Sequence, residues 1–154
     1  MLDLRKLLLR TVGRIFPSDY FARRFPVSVK GVLLIDHHVV LIRNERNEWD
    51  LPGGKLKRKE ELAECLRREI KEELAIDVEV QNLLNTTTVK VMNIVSVLVV
   101  IYHCQTTASL EQLQQGQENF GIGLFTIDEV SKVDLPKTYQ IAIAKSFATI
   151  FDKE

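Results

Sequence analysis

Apolar and polar positions divide the chain into several β-type segments, most of them short, separated by polar and turn-forming residues. Runs rich in β-branched residues, bounded by such residues, predict strands. The predicted strands are, in chain order, Val27 to Ile35, Val39 to Arg43, Val78 to Leu84, Thr87 to Val91, Ile94 to Cys104 and Leu124 to Ile127. Asp36-His37-His38 has turn chemistry, so the first two strands are expected to form a hairpin.

Three further segments carry apolar residues at helical spacing. Residues 1–26 predict a basic amphipathic helix followed by a connection, the next helix begins at about Glu60 or Glu61 and ends at Leu74, and Tyr139 to Phe151 closes the chain. Asp128 starts a short helical turn, and residues 105–121 are a polar loop without a hydrophobic period. This order predicts an α/β (α+β) fold, a mixed sheet with helices on its faces, with domain boundaries at 1–26 and 27–154.

Composition and charge narrow the classes of function. The 154 residues carry 21 Lys plus Arg and 21 Asp plus Glu, and the formal net charge of zero argues against a nucleic-acid partner. The longest apolar runs are strand-sized, so no membrane span is expected. Cys65 and Cys104 have no zinc or disulfide spacing, which predicts a reducing, cytoplasmic location. The basic helix packs on the domain, packs on a second subunit, or lies on an anionic membrane surface.

Three glutamates of the central predicted helix are the main candidates for chemistry. On a helical wheel Glu73 lies inside the apolar arc, Glu69 at its edge and Glu72 further out. Clustered carboxylates repel one another and resist burial unless protons or cations neutralise them. Oxygen donors favour Mg²⁺, Mn²⁺ or Ca²⁺ over zinc. The alternative is an acidic helix surface held by Arg67 and Arg68.

A glycine pair before this helix completes a recognisable pattern. From Gly54 the spacing is five residues, Glu60, seven residues, Arg68-Glu69-Ile70, one residue, Glu72-Glu73, one residue, Ala75-Ile76. This resembles the Nudix hydrolase box, G-x5-E-x7-R-E-U-x-E-E-x-G-U with U aliphatic, and Trp49 to Gly53 resembles its lead-in. The one departure is Ala75, which stands where the family has glycine. Since a left-handed residue is expected there, alanine is predicted to cost about 1 kcal/mol without loss of a ligand.

The resemblance implies a Nudix-type α/β/α sandwich and a role for each box residue. Glu69, Glu72 and Glu73 would bind Mg²⁺ or Mn²⁺ together with the Gly53 carbonyl, and Arg68 would orient Glu69 and pair with Glu60. Gly53 and Gly54 let a ligand approach closely, and Lys55 either meets a phosphate or is solvated. Glu118 resembles a further glutamate of some family members.

The implied activity is metal-assisted attack of water on the diphosphate of a nucleoside diphosphate linked to another group. Cations offset the charge on phosphate oxygens and acidify the attacking water, so the acidic cluster suits this chemistry. The expected partner is a small nucleotide substrate, and the expected state is a monomer or homodimer. The alternative is a Nudix-fold module that binds or senses a nucleotide without cleaving it.

Three other side chains are of types that could serve a site. His103 on a strand and Cys65 on the acidic helix are both predicted to be packed rather than catalytic. Trp49 either packs or stacks on a base.

Overall fold

The chain forms a mixed β-sheet between helices, as the order of the sequence segments predicts. The computed structural model describes residues 25–91, 94–117 and 120–151. The elements within them are β1 (Val27–Ile35), β2 (His38–Arg43), β3 (Trp49–Asp50), β4 (Gly53–Lys55), α1 (Leu62–Leu74), β5 (Glu79–Val91), β6 (Val95–Gln105), a 3-10 turn (Leu110–Gln112), β7 (Ile122–Phe125), α2 (Ile127–Val130) and α3 (Lys137–Phe151). The predicted helix in residues 1–24 and residue Glu118 lie outside the described residues.

Strand β1 is the centre of the sheet. It pairs in parallel with β6, from Val27 opposite Leu98 to Leu33 opposite Cys104, and antiparallel with β2 and β4. The strand order is β3-β2-β1-β6-β5 among the described residues, with β7 added alongside β2. The predicted mixed sheet is therefore confirmed.

Two apolar clusters, one on each side of β1, hold the helices on the sheet. Val29 and Leu33 of β1 pack with α1, whereas Val32 packs with α2 and α3. This alternation follows from the two-residue period of a strand, which sends successive side chains to opposite faces. The α1 cluster includes Leu66, Ile70 and Leu74, and the α3 cluster includes Tyr139, Ile143 and Phe147. The predicted apolar side of the closing helix is confirmed at Ile143 and Phe147.

Local hydrogen bonds and backbone conformation mark where α1 begins and where it ends. At its start the Glu61 N–H donates to the Glu64 carboxylate at 3.4 Å, which satisfies a backbone group that the helix leaves free. At its end Ala75 has φ 60° and ψ 17°, and its N–H donates to the Lys71 carbonyl at 3.1 Å. The left-handed conformation expected at Ala75 is confirmed.

Some predicted elements differ from the structure because long-range pairing overrides local pattern. The predicted turn at Leu51 to Gly54 continues into β4, since Gly53 and Gly54 pair with β1. The two strands predicted between Val78 and Val91 form the single strand β5, which keeps its pairing with β6 through irregularities near Leu83. The short strand predicted at Leu124 to Ile127 begins earlier, at Ile122, because it pairs with β2.

No helix among the described residues is long and apolar enough to cross a membrane.

Candidate active site

Strand β4 brings the glycine pair against α1. Gly53 lies opposite Lys30 and Gly54 opposite Val29 in the pairing with β1. Gly53 has φ 123°, and a Cβ there would lie 2.2 Å from the Val29 carbonyl oxygen. A Cβ on Gly54 would lie 2.5 Å from the carboxylate carbon of Glu69. Gly53 is therefore required for the close approach of β4 to β1, and Gly54 lets the Glu69 carboxylate of α1 lie against β4.

Glu73 is one of the two buried acids among the described residues of the site. Its residue is only 9% exposed, and its carboxylate accepts a hydrogen bond from the Gly53 N–H at 2.8 Å. Burial raises the pKa of Glu73 to about 7, although the Lys30 ammonium and the Gly53 N–H act in the opposite direction. The structure thus places Glu73 on the core side of α1, as the helical wheel predicts.

Arg68 ties the other acids of the box together. Its Nε donates to Glu60 Oε1 at 2.7 Å, and its Nη1 donates to Glu69 Oε1 at 2.7 Å and to Glu72 Oε2 at 3.3 Å. Hydrogen bonds from Arg68, and then from the Lys57 N–H, lower the pKa of Glu60 to about 2. Hydrogen bonds to Glu60 and then to Glu69 raise the pKa of Arg68 above its usual range. The Nudix resemblance implies that Arg68 pairs with Glu60 and orients Glu69, and in the structure Arg68 contacts both residues.

The three candidate ligand carboxylates of α1, Glu69, Glu72 and Glu73, differ in their exposure. Glu69, like Glu73, is 9% exposed, whereas the Glu72 side chain is 46% exposed. As the side chains stand, no group of three or more His, Cys, Asp or Glu residues in the described part of the chain is arranged to hold a metal. The Glu69 and Glu72 carboxylates are hydrogen-bonded to Arg68, whereas the Glu73 carboxylate is hydrogen-bonded to the Gly53 N–H.

The donor set nevertheless fits a hard divalent cation. Its side chains are carboxylates, the Gly53 carbonyl adds a further oxygen, and the buried Glu73 carboxylate is disfavoured in its charged form. A cation beside Glu73 would remove that penalty.

Lys30 is the residue of this region that the sequence analysis did not identify. Its ammonium donates to Gly53 O at 2.8 Å and to Leu51 O and Asp50 Oδ2 at 3.0 Å each. The residue is 7% exposed. The signal in the sequence is a single lysine in the middle of an apolar strand, where a charge requires buried partners.

The remaining candidates have packing or surface positions. Lys55 is exposed at the end of β4. The Trp49 ring packs edge-on against Phe125, with centroids 5.1 Å apart, and the Arg43 guanidinium lies 4.5 Å from the Trp49 centroid. His103 is buried with Nδ1 2.6 Å from the Ser146 hydroxyl, and Cys65 is fully buried. The predicted packing of His103 and Cys65 is confirmed.

The fold and this arrangement of glycines, acids and arginine define a Nudix hydrolase. The family model for the NUDIX domain matches residues 24–148, and the chain belongs to that family. Its members are generally pyrophosphatases that act on nucleoside diphosphate derivatives.

Solved structures agree on the fold at low sequence identity. A MutT protein from Methanosarcina mazei has a TM-score of 0.69 and 18% identity, over 86% of this chain and 99% of that chain. A UDP-X diphosphatase has a TM-score of 0.67 and 20% identity, over 91% and 77%. An ADP-ribose pyrophosphatase from Streptococcus suis has a TM-score of 0.60 and 19% identity, over 80% and 92%. No curated protein matches the chain.

Proposed function

We propose that the protein is a Mg²⁺-dependent hydrolase that cleaves the diphosphate bond of a nucleoside diphosphate linked to another group. Mn²⁺ is proposed as an alternative metal. The observation that carries the proposal is the pair of buried carboxylates, Glu69 and Glu73, held against Gly53 and Gly54 beneath the Arg68 ion pairs. A helix that only presents acids to solvent has no need to bury two of them against a glycine pair.

In this proposal Glu69, Glu72 and Glu73 hold the cation together with the Gly53 carbonyl. Arg68 occupies one oxygen each of Glu69 and Glu72, so cation binding would use the second oxygen of these carboxylates, turned toward Glu73. When bound, the metal would offset charge on the phosphate oxygens and acidify the attacking water.

The chain's own groups supply positioning and proton transfer. Glu60 keeps the Arg68 guanidinium in place, and Arg68 in turn orients Glu69. One carboxylate of α1 accepts the proton of the attacking water. Gly54 lets the Glu69 carboxylate lie against the backbone, and we propose that Lys55, exposed at the end of β4, meets the charge of the phosphate.

The substrate class is a nucleoside diphosphate derivative. The names of two structural neighbours, a UDP-X diphosphatase and an ADP-ribose pyrophosphatase, support this class. We further propose a cytoplasmic monomer or homodimer, with the Nudix domain beginning at residue 27 and no nucleic-acid partner.

The test is a metal-dependent phosphate-release screen over nucleoside triphosphates, nucleotide sugars, ADP-ribose, CDP-alcohols and dinucleoside polyphosphates. Glu73→Gln should abolish most Mg²⁺-dependent turnover and leave the fold intact, because an amide is tolerated where the charged acid is disfavoured. The matched control is Glu64→Gln, on the same helix but exposed, since glutamine preserves the helix cap. Wild-type turnover by Glu73→Gln would contradict the site, and nucleotide binding without turnover by the unaltered protein would favour the binding module.

A further inference from the structure

Lys30 reaches the glycine pair from the side of the sheet opposite α1. Its neighbours in β1 face α1, because Val29 belongs to the α1 cluster and a Cβ on Gly31 would lie 3.1 Å from Ile70. Successive strand residues point to opposite faces, so Lys30 leaves β1 on the other side. Lys30 therefore does not share a face with the three carboxylates.

The ammonium of Lys30 has a complete set of acceptors. An ammonium has three N–H donors, and here they go to the Leu51 carbonyl, the Gly53 carbonyl and the Asp50 carboxylate. Two of the three acceptors are backbone oxygens of one short segment. A buried ammonium that is hydrogen-bonded to the Leu51 and Gly53 carbonyls fixes the backbone path between them. If Lys30 served only to neutralise Asp50, the one contact with that carboxylate would be enough.

Gly53 is the residue that hydrogen bonds hold from both sides of the sheet. From one side its N–H donates to Glu73 at 2.8 Å, and from the other its carbonyl accepts from Lys30 at 2.8 Å. Its φ is 123°, and because glycine populates positive and negative φ about equally, its contacts rather than its intrinsic preference select this conformation.

We propose that Lys30 is a positioning residue of the metal centre, holding the Leu51–Gly53 backbone so that the Gly53 carbonyl and the Glu73 carboxylate serve the same cation. The proposal rests on the proposed function. Partners behind metal ligands typically change metal affinity by ~10–100-fold when removed.

The experiment measures the Mn²⁺ dissociation constant from the free-ion electron paramagnetic resonance signal. Lys30→Met is compared with Lys57→Met, which removes an exposed lysine of the same region. Lys30→Met/Asp50→Asn removes both charges, so that no buried carboxylate is left without its partner. We expect the dissociation constant to rise ~10–100-fold in both Lys30 variants and to stay unchanged in Lys57→Met. The Mg²⁺ concentration for half-maximal activity should rise in parallel, while kcat at saturating Mg²⁺ is retained.

Wild-type Mn²⁺ affinity in either folded Lys30 variant would overturn the proposal, and so would tighter binding, which would mean that the ammonium competes with the metal. The unaltered protein provides a second measurement that needs no variant to fold. With ¹³C at lysine Cε, substoichiometric Mn²⁺ should broaden the Lys30 signal before that of Lys57, and equal broadening would also overturn the proposal. Failure of the proposed function is distinct, because the wild type would then bind no Mn²⁺, or Glu73→Gln would bind it equally well.

Discussion

At the scale of single residues, the site depends on a carboxylate that the protein buries at a free-energy penalty. Glu73 has its pKa raised to about 7 by burial, against a usual 4.5, so between these values the folded state binds more protons than the unfolded state. Stability from this group is full below pH 4.5 and is lost as pH rises through about 7.

Metal-free protein is therefore expected to lose unfolding free energy from pH 4.5 to above 7, and Glu73→Gln is expected to remove that part of the loss. A shift from 4.5 to about 7 corresponds to about 3 kcal/mol between the two pH profiles. Urea unfolding of both proteins in EDTA measures it. If the unfolding free energies of the two proteins change with pH in parallel, burial does not raise the pKa of Glu73.

At the scale of elements, the residue that follows α1, Ala75, is poorly suited to the conformation it adopts. Ala75 is left-handed at φ 60°, where an L side chain is strained and glycine is not. Ala75→Gly is expected to raise the unfolding free energy by roughly 0.5–1 kcal/mol, even though glycine also loosens the unfolded chain. Ala63→Gly, inside the same helix, should lower it by about 0.5–1 kcal/mol. Chemical denaturation compares the two, and a loss at both positions would contradict the strain at Ala75.

The polar loop after β6 is attached to the end of α1. The Gln114 N–H donates to the Leu74 carbonyl at 3.1 Å, and the Gly116 N–H donates to the Glu73 carbonyl at 2.9 Å. Carbonyls in the last turn of a helix have no donor within the helix, so the loop satisfies two of them. A Cβ on Gly116 would lie 2.1 Å from the Glu72 carbonyl oxygen.

Gly116→Ala is expected to lower the unfolding free energy by about 1–3 kcal/mol, because the added methyl group has to displace helix backbone. The control is Gly121→Ala in the same loop, where a Cβ would meet nothing within 4 Å and stability should hold or rise slightly. Thermal melts of both variants make the comparison. Equal stability of the two would show that the loop is not packed against α1.

At the scale of the whole molecule, metal binding and folding should be linked. A cation bound only by the folded state adds about 2.7 kcal/mol at 100 times its Kd, which for a chain of this size raises Tm by roughly 5–10 °C. Mg²⁺ should therefore raise Tm of the wild type and leave Tm of the Glu69/Glu72/Glu73 triple Gln variant unchanged. Calorimetry with Mg²⁺ and with EDTA checks this, and an equal response of both proteins would place the metal elsewhere.

The sequence by itself determined the features that depend on local geometry. Helical spacing is local, so the placement of Glu69 and Glu73 on the buried side of α1 and of Glu72 further out was predictable, as was the left-handed Ala75. The alternating or continuous apolar runs likewise located β1, β2 and β6 to within a few residues.

Only the tertiary structure decided what meets across the sheet. The hydrogen bond from the Lys30 ammonium to the Gly53 carbonyl joins residues of two strands, and no local pattern in the sequence specifies it. The pairing of β4 with β1 and the docking of Gly116 on α1 also depend on distant backbone groups that need hydrogen-bond partners. These contacts are long-range, so no local stretch of the sequence contains both partners.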